Sequence, residues 1–177
     1  MTEINRFFDF GDGEGLVRAD PHPNGGGWVA HTATVKASAY VDADAHVYGS
    51  AIVGANACVR ENARVYGNAE IQCGAIVCGN ARVFGGGVVP PGACVDGKAY
   101  VKHRVDVTTG LCRSRTGYYR VTIWPGRNGL PRANWGCKRN IDLQAYFERE
   151  AHYHTLKAGP LALLNAWWEI RKAAGIA

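Results

Sequence analysis

A β-branched residue recurs at every sixth position through the middle of the chain, over thirteen consecutive repeats. An alanine or a glycine stands two positions before each of them. Because side chains on a strand alternate between its two faces, the small and the branched residue of one repeat point the same way. The pattern predicts thirteen short strands around a shared interior, with inward positions at Val29, Val35, Val41, Val47, Val53, Val59, Val65, Ile71, Val77, Val83, Val89, Val95 and Val101.

Polar and flexible residues fill the positions between these strands. Asparagine stands three positions after the branched residue at Asn56, Asn62, Asn68 and Asn80, and glycine often takes the same position elsewhere. Both residue types tolerate a positive φ, so we expect the chain to turn its corners there. Three six-residue units close one triangular coil, and the thirteen units predict about four stacked coils.

The motif Ala-x-Val-x-Gly-Asn, as in Ala63–Asn68, resembles the hexapeptide-repeat proteins. The resemblance covers residues 27–103 and implies a left-handed parallel β-helix, so the expected fold is an all-β solenoid with a small α+β C-terminal appendage. That family includes CoA-dependent acyltransferases, γ-type carbonic anhydrases, and many bacterial and phage proteins without an assigned activity. The resemblance therefore implies a fold more firmly than a function.

Residues eighteen apart should lie above one another on the outside of the coils. One predicted column holds Tyr48, Tyr66 and Phe84, and its neighbour holds His46, Arg64, Arg82 and Tyr100. The aromatic column needs a cover, and two covers are expected as alternatives: the chain's own C-terminal helix or a second copy of the chain. The residues assigned to this oligomer or packing face are Tyr48, Tyr66, Phe84, Trp167 and Trp168.

The regions on either side of the repeat depart from its pattern. We expect a cap at 1–26 whose phenylalanines plug the first coil, the β-helix at 27–104, and an appendage at 105–177. Alternation and turn residues in 105–139 predict a β-meander. Two helices should follow, the first capped by Asn140 or Asp142 and the second opened by Pro160.

Charge separates the two halves of the chain. Residues 1–104 carry a net charge of −1, whereas residues 105–177 carry +6. Basic and aromatic residues interleave between 113 and 139 without an acidic residue, which suits an acidic protein surface or a nucleic acid, or is only a solvated surface. The predicted partner-binding residues are Arg113, Arg115, Tyr118, Arg120, Trp124, Arg127, Arg132, Trp135, Lys138 and Arg139.

An acyltransferase is the alternative hypothesis, because family members of that kind use a histidine base and CoA. His46 and His103 are the candidates for that base, although the repeat has no inserted loop to shape an acceptor pocket. The resemblance to γ-type carbonic anhydrases implies histidine ligands at H-x4-H spacing. The sequence has no such pair, and no metal site is expected.

The preferred hypothesis is a non-catalytic interaction protein that needs no cofactor. The resemblance to phage and prophage proteins suggests an accessory role, such as binding or inhibiting a host complex. We expect a dimer or a trimer. We also expect a cytoplasmic location with free thiols, because no secretion signal or membrane-length apolar run is apparent.

Overall fold

The computed structural model describes residues 6–114, 117–135, 138–143, 145–146 and 158–176. It begins with a hairpin of β1 (Phe7–Asp9) and β2 (Leu16–Pro21). Thirteen short strands follow, one for each predicted repeat. They are β3 (Trp28–Ala30), β4 (Thr34–Val35), β5 (Tyr40–Val41), β6 (His46–Val47), β7 (Ile52–Val53), β8 (Cys58–Val59), β9 (Arg64–Val65), β10 (Glu70–Ile71), β11 (Ile76–Val77), β12 (Arg82–Val83), β13 (Val88–Val89), β14 (Cys94–Val95) and β15 (Tyr100–Val101).

These strands wind a β-solenoid of about four turns, which confirms the predicted fold class. Each strand pairs in parallel with the strand three places along, so the register advances by one coil. Val47 lies opposite Val65, for example, and the Tyr48 amide donates to the Val65 carbonyl at 3.0 Å. Three parallel sheets result, and β1 and β2 extend one of them.

The interior of the solenoid is built from the small and branched positions of the repeat. From Ala39 to Val101 the inward alanines and the inward valines and Ile71 are at most 2% exposed and form one cluster. Each fully buried valine contributes about 1.5–3 kcal/mol relative to an exposed one. The stability of the solenoid is therefore spread over many equivalent side chains.

The positions of positive φ at the corners differ in part from the prediction. At one type of corner the positive φ falls at the predicted position, as at Gly74 with φ of 67°. At the two other types it falls one residue earlier, as at Gly79, which precedes Asn80 and has φ of 72°. Glycine enters the left-handed region at low cost, but Glu61 adopts the same conformation just before Asn62, with φ of 56°. The place in the corner, and not the residue type alone, therefore sets where φ is positive.

The N-terminal hairpin covers the outside of the first coils. Phe8 stacks on Trp28 with ring centroids 4.6 Å apart, and Phe10 stacks on Tyr48 at 4.7 Å. Both partners are outward-facing residues. The expectation that the phenylalanines plug the open end of the first coil is therefore wrong.

The C-terminal module is an antiparallel four-stranded sheet with a helix packed on it. Its strands are β16 (Thr108–Ser114), β17 (Gly117–Pro125), β18 (Pro131–Trp135) and β19 (Lys138–Asp142), in that order in the sheet. The predicted meander is thus confirmed. The helix α1 (Ala158–Ala173) places Leu164 and Trp167 in a core with Val121 and Ile123.

The other predicted helix lies mostly outside the described residues. The Ala145 amide donates to the Asp142 Oδ1 at 3.0 Å, which is the capping contact expected at its start. Among the described residues, no helix is long and apolar enough to cross a membrane.

Two buried contacts join the module to the end of the solenoid. Trp124 of β17 is fully buried and belongs to the core of the solenoid. Asp106 is 1% exposed and forms an ion pair with Arg171 of α1, while its backbone carbonyl accepts from the Trp167 indole at 2.6 Å. Asp106 Oδ2 also accepts from the backbone amides of Lys102 and His103, each at 2.7 Å.

Candidate functional site

The predicted columns are present on the outer face of the seven-stranded sheet. His46 lies opposite Arg64, Arg64 opposite Arg82, and Arg82 opposite Tyr100, each one coil further along. Successive rungs are about 4.8 Å apart because they belong to neighbouring strands. The repeat therefore places the side chains of distant residues side by side.

The aromatic column forms a continuous ladder of Tyr48, Tyr66 and Phe84. Their rings are nearly parallel, with centroids 4.9 and 5.1 Å apart. Phe10 of the hairpin covers the Tyr48 end, and burial raises the pKa of Tyr48 and Tyr66. The hairpin thus covers the Tyr48 end of the ladder, while Tyr66 and Phe84 are half-buried.

The C-terminal helix does not provide that cover. Trp167 is buried in the core of the C-terminal module, and Trp168 on the same helix is 37% exposed. The predicted oligomer or packing face therefore separates into two surfaces that do not meet. Its expected cover by the helix is wrong: Phe10 packs on Tyr48, and α1 packs on the sheet of the module. The alternative cover, a second copy of the chain, stays a prediction.

A concave cationic surface lies where the module meets the solenoid. An antiparallel bridge between Ala99 and Gly126 brings the turn that joins β17 to β18 against the last coil. The turn carries Arg127, which faces the column of Arg64 and Arg82. Together they enclose a cavity of about 400 Å³, lined by Asn62, Arg64, Asn80, Arg82, Lys98, Ala99, Tyr100 and Arg127.

A second cavity of about 430 Å³ continues the first across the module. The two share Asn80, Lys98 and Arg127. We call the combined space the junction groove. The second cavity is lined by Asn80, Gly97, Lys98, Gly126, Arg127, Asn128, Arg132 and Asn140.

The junction groove concentrates positive charge. Its described lining includes the cations Arg64, Arg82, Lys98, Arg127 and Arg132, and no aspartate or glutamate. Cations gathered in a concavity repel one another and create a positive potential that an anion relieves. Arginine adds a planar fork of donors that matches a phosphate or a carboxylate.

The five cations are held in different ways. Arg132 donates to the Asn140 Oδ1 at 3.1 Å and faces Asp142 at 3.4 Å, so part of its charge is compensated within the module. Arg64 is partly buried and donates to the Phe10 carbonyl at 3.3 Å. Arg82, Lys98 and Arg127 are exposed to solvent, which makes them the most accessible to a ligand.

The predicted partner-binding residues fare unequally. Arg127 and Arg132 line the groove. Arg120 is exposed elsewhere, where it donates to the Pro91 carbonyl at 3.1 Å. Trp124 is fully buried, so its assignment to a binding surface is wrong: the strand face it occupies packs on the end of the solenoid.

The remaining predicted partner-binding side chains lie outside the described part of the chain. They are those of Arg113, Arg115, Tyr118, Trp135, Lys138 and Arg139. The site prediction missed Lys98, and it also omitted Arg64, Arg82 and Tyr100. The spacing of eighteen residues already predicted that those three side chains would be neighbours. It did not predict that Arg127 of the module lies opposite them.

His46 lines another cavity next to the groove, of about 350 Å³, together with Phe8, Trp28, Asp44 and Arg64. Its Nδ1 is buried and has no hydrogen-bond partner within the described structure. Burial, and then the positive charge of Arg64, lower the pKa of His46 and favour the neutral imidazole. Phe8 and Phe10 both contact the ring edge to face, at 5.0 and 5.7 Å.

His103 lines a smaller cavity of about 180 Å³ beside Asp106, which shares Tyr100 and Arg127 with the junction groove. The two candidate bases thus line different cavities. Within the described ranges, no three His, Cys, Asp or Glu side chains are grouped so that they could hold a metal ion. Comparisons of the chain with family models, with curated proteins and with solved structures found no match.

Proposed function

We propose that the protein is a non-catalytic binding protein that holds an anionic partner in the junction groove. The observation that carries the proposal is the set of five cations in one concavity whose described lining contains no carboxylate. The solenoid supplies a rigid wall with evenly spaced side chains, and the module supplies the opposite wall. An acidic protein segment or a nucleic acid has the required charge.

The chemistry of the lining suits binding better than proton transfer. Arginine stays protonated in proteins, and asparagine amides donate and accept hydrogen bonds without titrating. These groups orient an anion and neutralise it. A general base, by contrast, needs a pKa near the working pH.

The test compares two double variants on immobilised heparin, which serves as a generic polyanion. Arg82→Gln with Arg127→Gln removes two charges from the groove. The control, Lys36→Gln with Arg60→Gln, removes two exposed charges from other surfaces of the solenoid. We expect the groove variant to elute at clearly lower salt than the wild type and the control to elute close to the wild type. Equal shifts for both variants would show that net charge, not the groove, governs binding.

An acyltransferase is the second candidate function, and the environment of His46 favours it. Its lowered pKa leaves a neutral imidazole, as a general base requires, and Arg64 beside it is placed to hold a phosphate of CoA. Acetyl-CoA should then raise the melting temperature of the wild type. His46→Gln should retain that shift but abolish transfer of the acetyl group to an amine or hydroxyl acceptor with release of free CoA. No shift with acetyl-CoA would exclude this candidate.

A homodimer or homotrimer, a cytoplasmic location and a phage-type accessory role remain predictions from the sequence. The homo-oligomer belongs to the acyltransferase hypothesis, because the resemblance implies that the active sites of those enzymes lie at a subunit boundary. Light scattering of the purified chain tests it directly. A monomer would remove the boundary version of the enzyme and leave the groove proposal unaffected.

A further inference from the structure

We propose that the junction groove is a nucleotide site, with phosphates on Arg82, Lys98 and Arg127 and the base on Tyr100. This inference rests on the proposed function and names its ligand. The shared chemistry is a run of phosphates beside an aromatic base. A free nucleotide and a single strand of nucleic acid both provide it.

The size of the groove favours a compact ligand of high charge density. Its two cavities of about 400 and 430 Å³ are each within the range of small-molecule sites. Three exposed cations and the partly compensated Arg132 face this space. A phosphate group carries up to about two negative charges on compact oxygens, so neighbouring phosphates supply more charge in this volume than spaced carboxylates.

The aromatic contribution comes from Tyr100 at the solenoid wall. Its side chain is 38% exposed and lines the same cavity as Arg82 and Arg127. Phe84 supports the ring from one side, with centroids 4.7 Å apart and planes at 67°. An exposed ring beside cations provides a stacking surface for a base, and arginine guanidinium groups add cation–π contacts.

Amides complete the lining on the same wall. Asn62 and Asn80 are exposed at the same corner of successive coils, and Lys98 occupies that corner in the next coil. Their side chains can donate to and accept from the edges of a base or a sugar. A carboxylate-rich peptide would use the cations alone, so the exposed ring and the amides favour the nucleotide.

The experiment measures binding by calorimetry at low salt with EDTA, using four probes. They are ATP, inorganic triphosphate, a ten-residue oligo(dT) and an oligoglutamate peptide. Tyr100→Ser removes the ring, whereas Tyr100→Phe retains it and serves as the matched control. Melting temperatures of both variants confirm that the chain still folds.

We expect ATP or oligo(dT) to bind at least tenfold more tightly than triphosphate and oligoglutamate. Tyr100→Ser should lower the affinity for the nucleotide probe about tenfold and leave the affinity for triphosphate unchanged, while Tyr100→Phe keeps the wild-type affinity. Arg82→Gln with Arg127→Gln should lower the affinity for every probe that carries phosphate. Tighter binding of ATP than of oligo(dT) identifies a free nucleotide as the source, and the reverse order identifies a strand.

Three outcomes would overturn the inference. If Tyr100→Ser binds the nucleotide probes as the wild type does, the base does not use the ring. If oligoglutamate binds most tightly and needs the groove arginines, the nucleotide assignment fails and the proposed function stands. If no probe depends on those arginines, both fail.

Discussion

The solenoid and the C-terminal module bury their cores in different ways. In the solenoid, Val and Ala repeat with a fixed phase, and each contacts its counterpart one coil away. In the module, large and unlike residues such as Trp167, Leu164 and Ile123 meet across a sheet and a helix. The stability of the first core is the sum of many equivalent contributions from neighbouring coils, whereas the stability of the second depends on a few long-range contacts.

This difference governs what a single substitution does. The effect of a change in the solenoid follows from its position within the six-residue unit. The effect of a change in the module follows from what packs against that residue in the folded structure. Asp106 and its ion-pair partner Arg171, for example, are 65 positions apart in sequence. Four predictions, in order of decreasing effect, test this contrast.

The largest effect is expected from a charge placed at an inward position of the repeat. Val53→Asp buries an unpaired carboxylate at a fully buried site and should cost more than about 5 kcal/mol, enough to prevent folding. Ile52 precedes it on the same strand but is 47% exposed, so Ile52→Asp should change stability by about 0.5 kcal/mol or less. Urea unfolding followed by tryptophan fluorescence measures both. Similar losses for the two variants would contradict the inward phase.

The second effect concerns the tryptophan that joins the two regions. Trp124→Ala leaves a cavity at the end of the solenoid core and should cost about 3–5 kcal/mol, whereas Trp168→Ala at an exposed site should cost about 1 kcal/mol or less. Hydrogen exchange should rise first in β14 and β15 and later in β6 and β9, because the coils near the cavity lose their cap. Uniform exchange along all coils would show that the solenoid unfolds as one unit.

The third effect is local to the module. Asp106→Asn removes one partner of a buried ion pair, leaves the Arg171 charge uncompensated, and should destabilise the docking of α1 by about 3 kcal/mol. Glu169→Gln changes an exposed acid on the same helix and is the control. Hydrogen exchange should increase in α1 for Asp106→Asn while the middle coils keep their protection. An unchanged α1 would mean that the apolar contacts of Trp167 suffice to hold it.

The smallest effect depends on pH. Burial and Arg64 lower the pKa of His46 in the folded chain, so the unfolded chain takes up the proton first as the pH falls. The contribution of His46 to stability is therefore complete above its ordinary pKa of 6.5 and declines as the pH drops below it. His46→Gln should lose less melting temperature between about pH 7.5 and pH 5.5 than the wild type does. An equal loss in both chains would assign the pH dependence to other groups.

The sequence was most informative where its pattern repeats. All thirteen strands fall on the predicted positions, because the inward side of a two-residue strand is set by its phase in the repeat. The columns of Arg64, Arg82 and Tyr100 followed from the same spacing. The sequence therefore predicted that the residues of the solenoid wall of the groove lie side by side.

Arg127 and Arg132 of the opposite wall were predicted as partner-binding residues, but their position opposite the solenoid was not, because no periodicity links the module to the solenoid. Alternation along β17 separates two faces of the strand but does not say which face packs on the coils. Trp124 was therefore assigned to the wrong one. The hairpin raised the same difficulty, since a run of phenylalanines predicts a cover but not the surface it covers.

The amino-acid order alone thus determined the winding of the middle of the chain, because each six-residue unit repeats the same steric and apolar preferences. Only the tertiary structure decided that Phe10 covers Tyr48, that Trp124 closes the last coil, and that Arg127 faces Arg82. Those contacts join segments far apart in sequence. They are selected by shape and charge when the folded parts meet, and local propensity does not encode that choice.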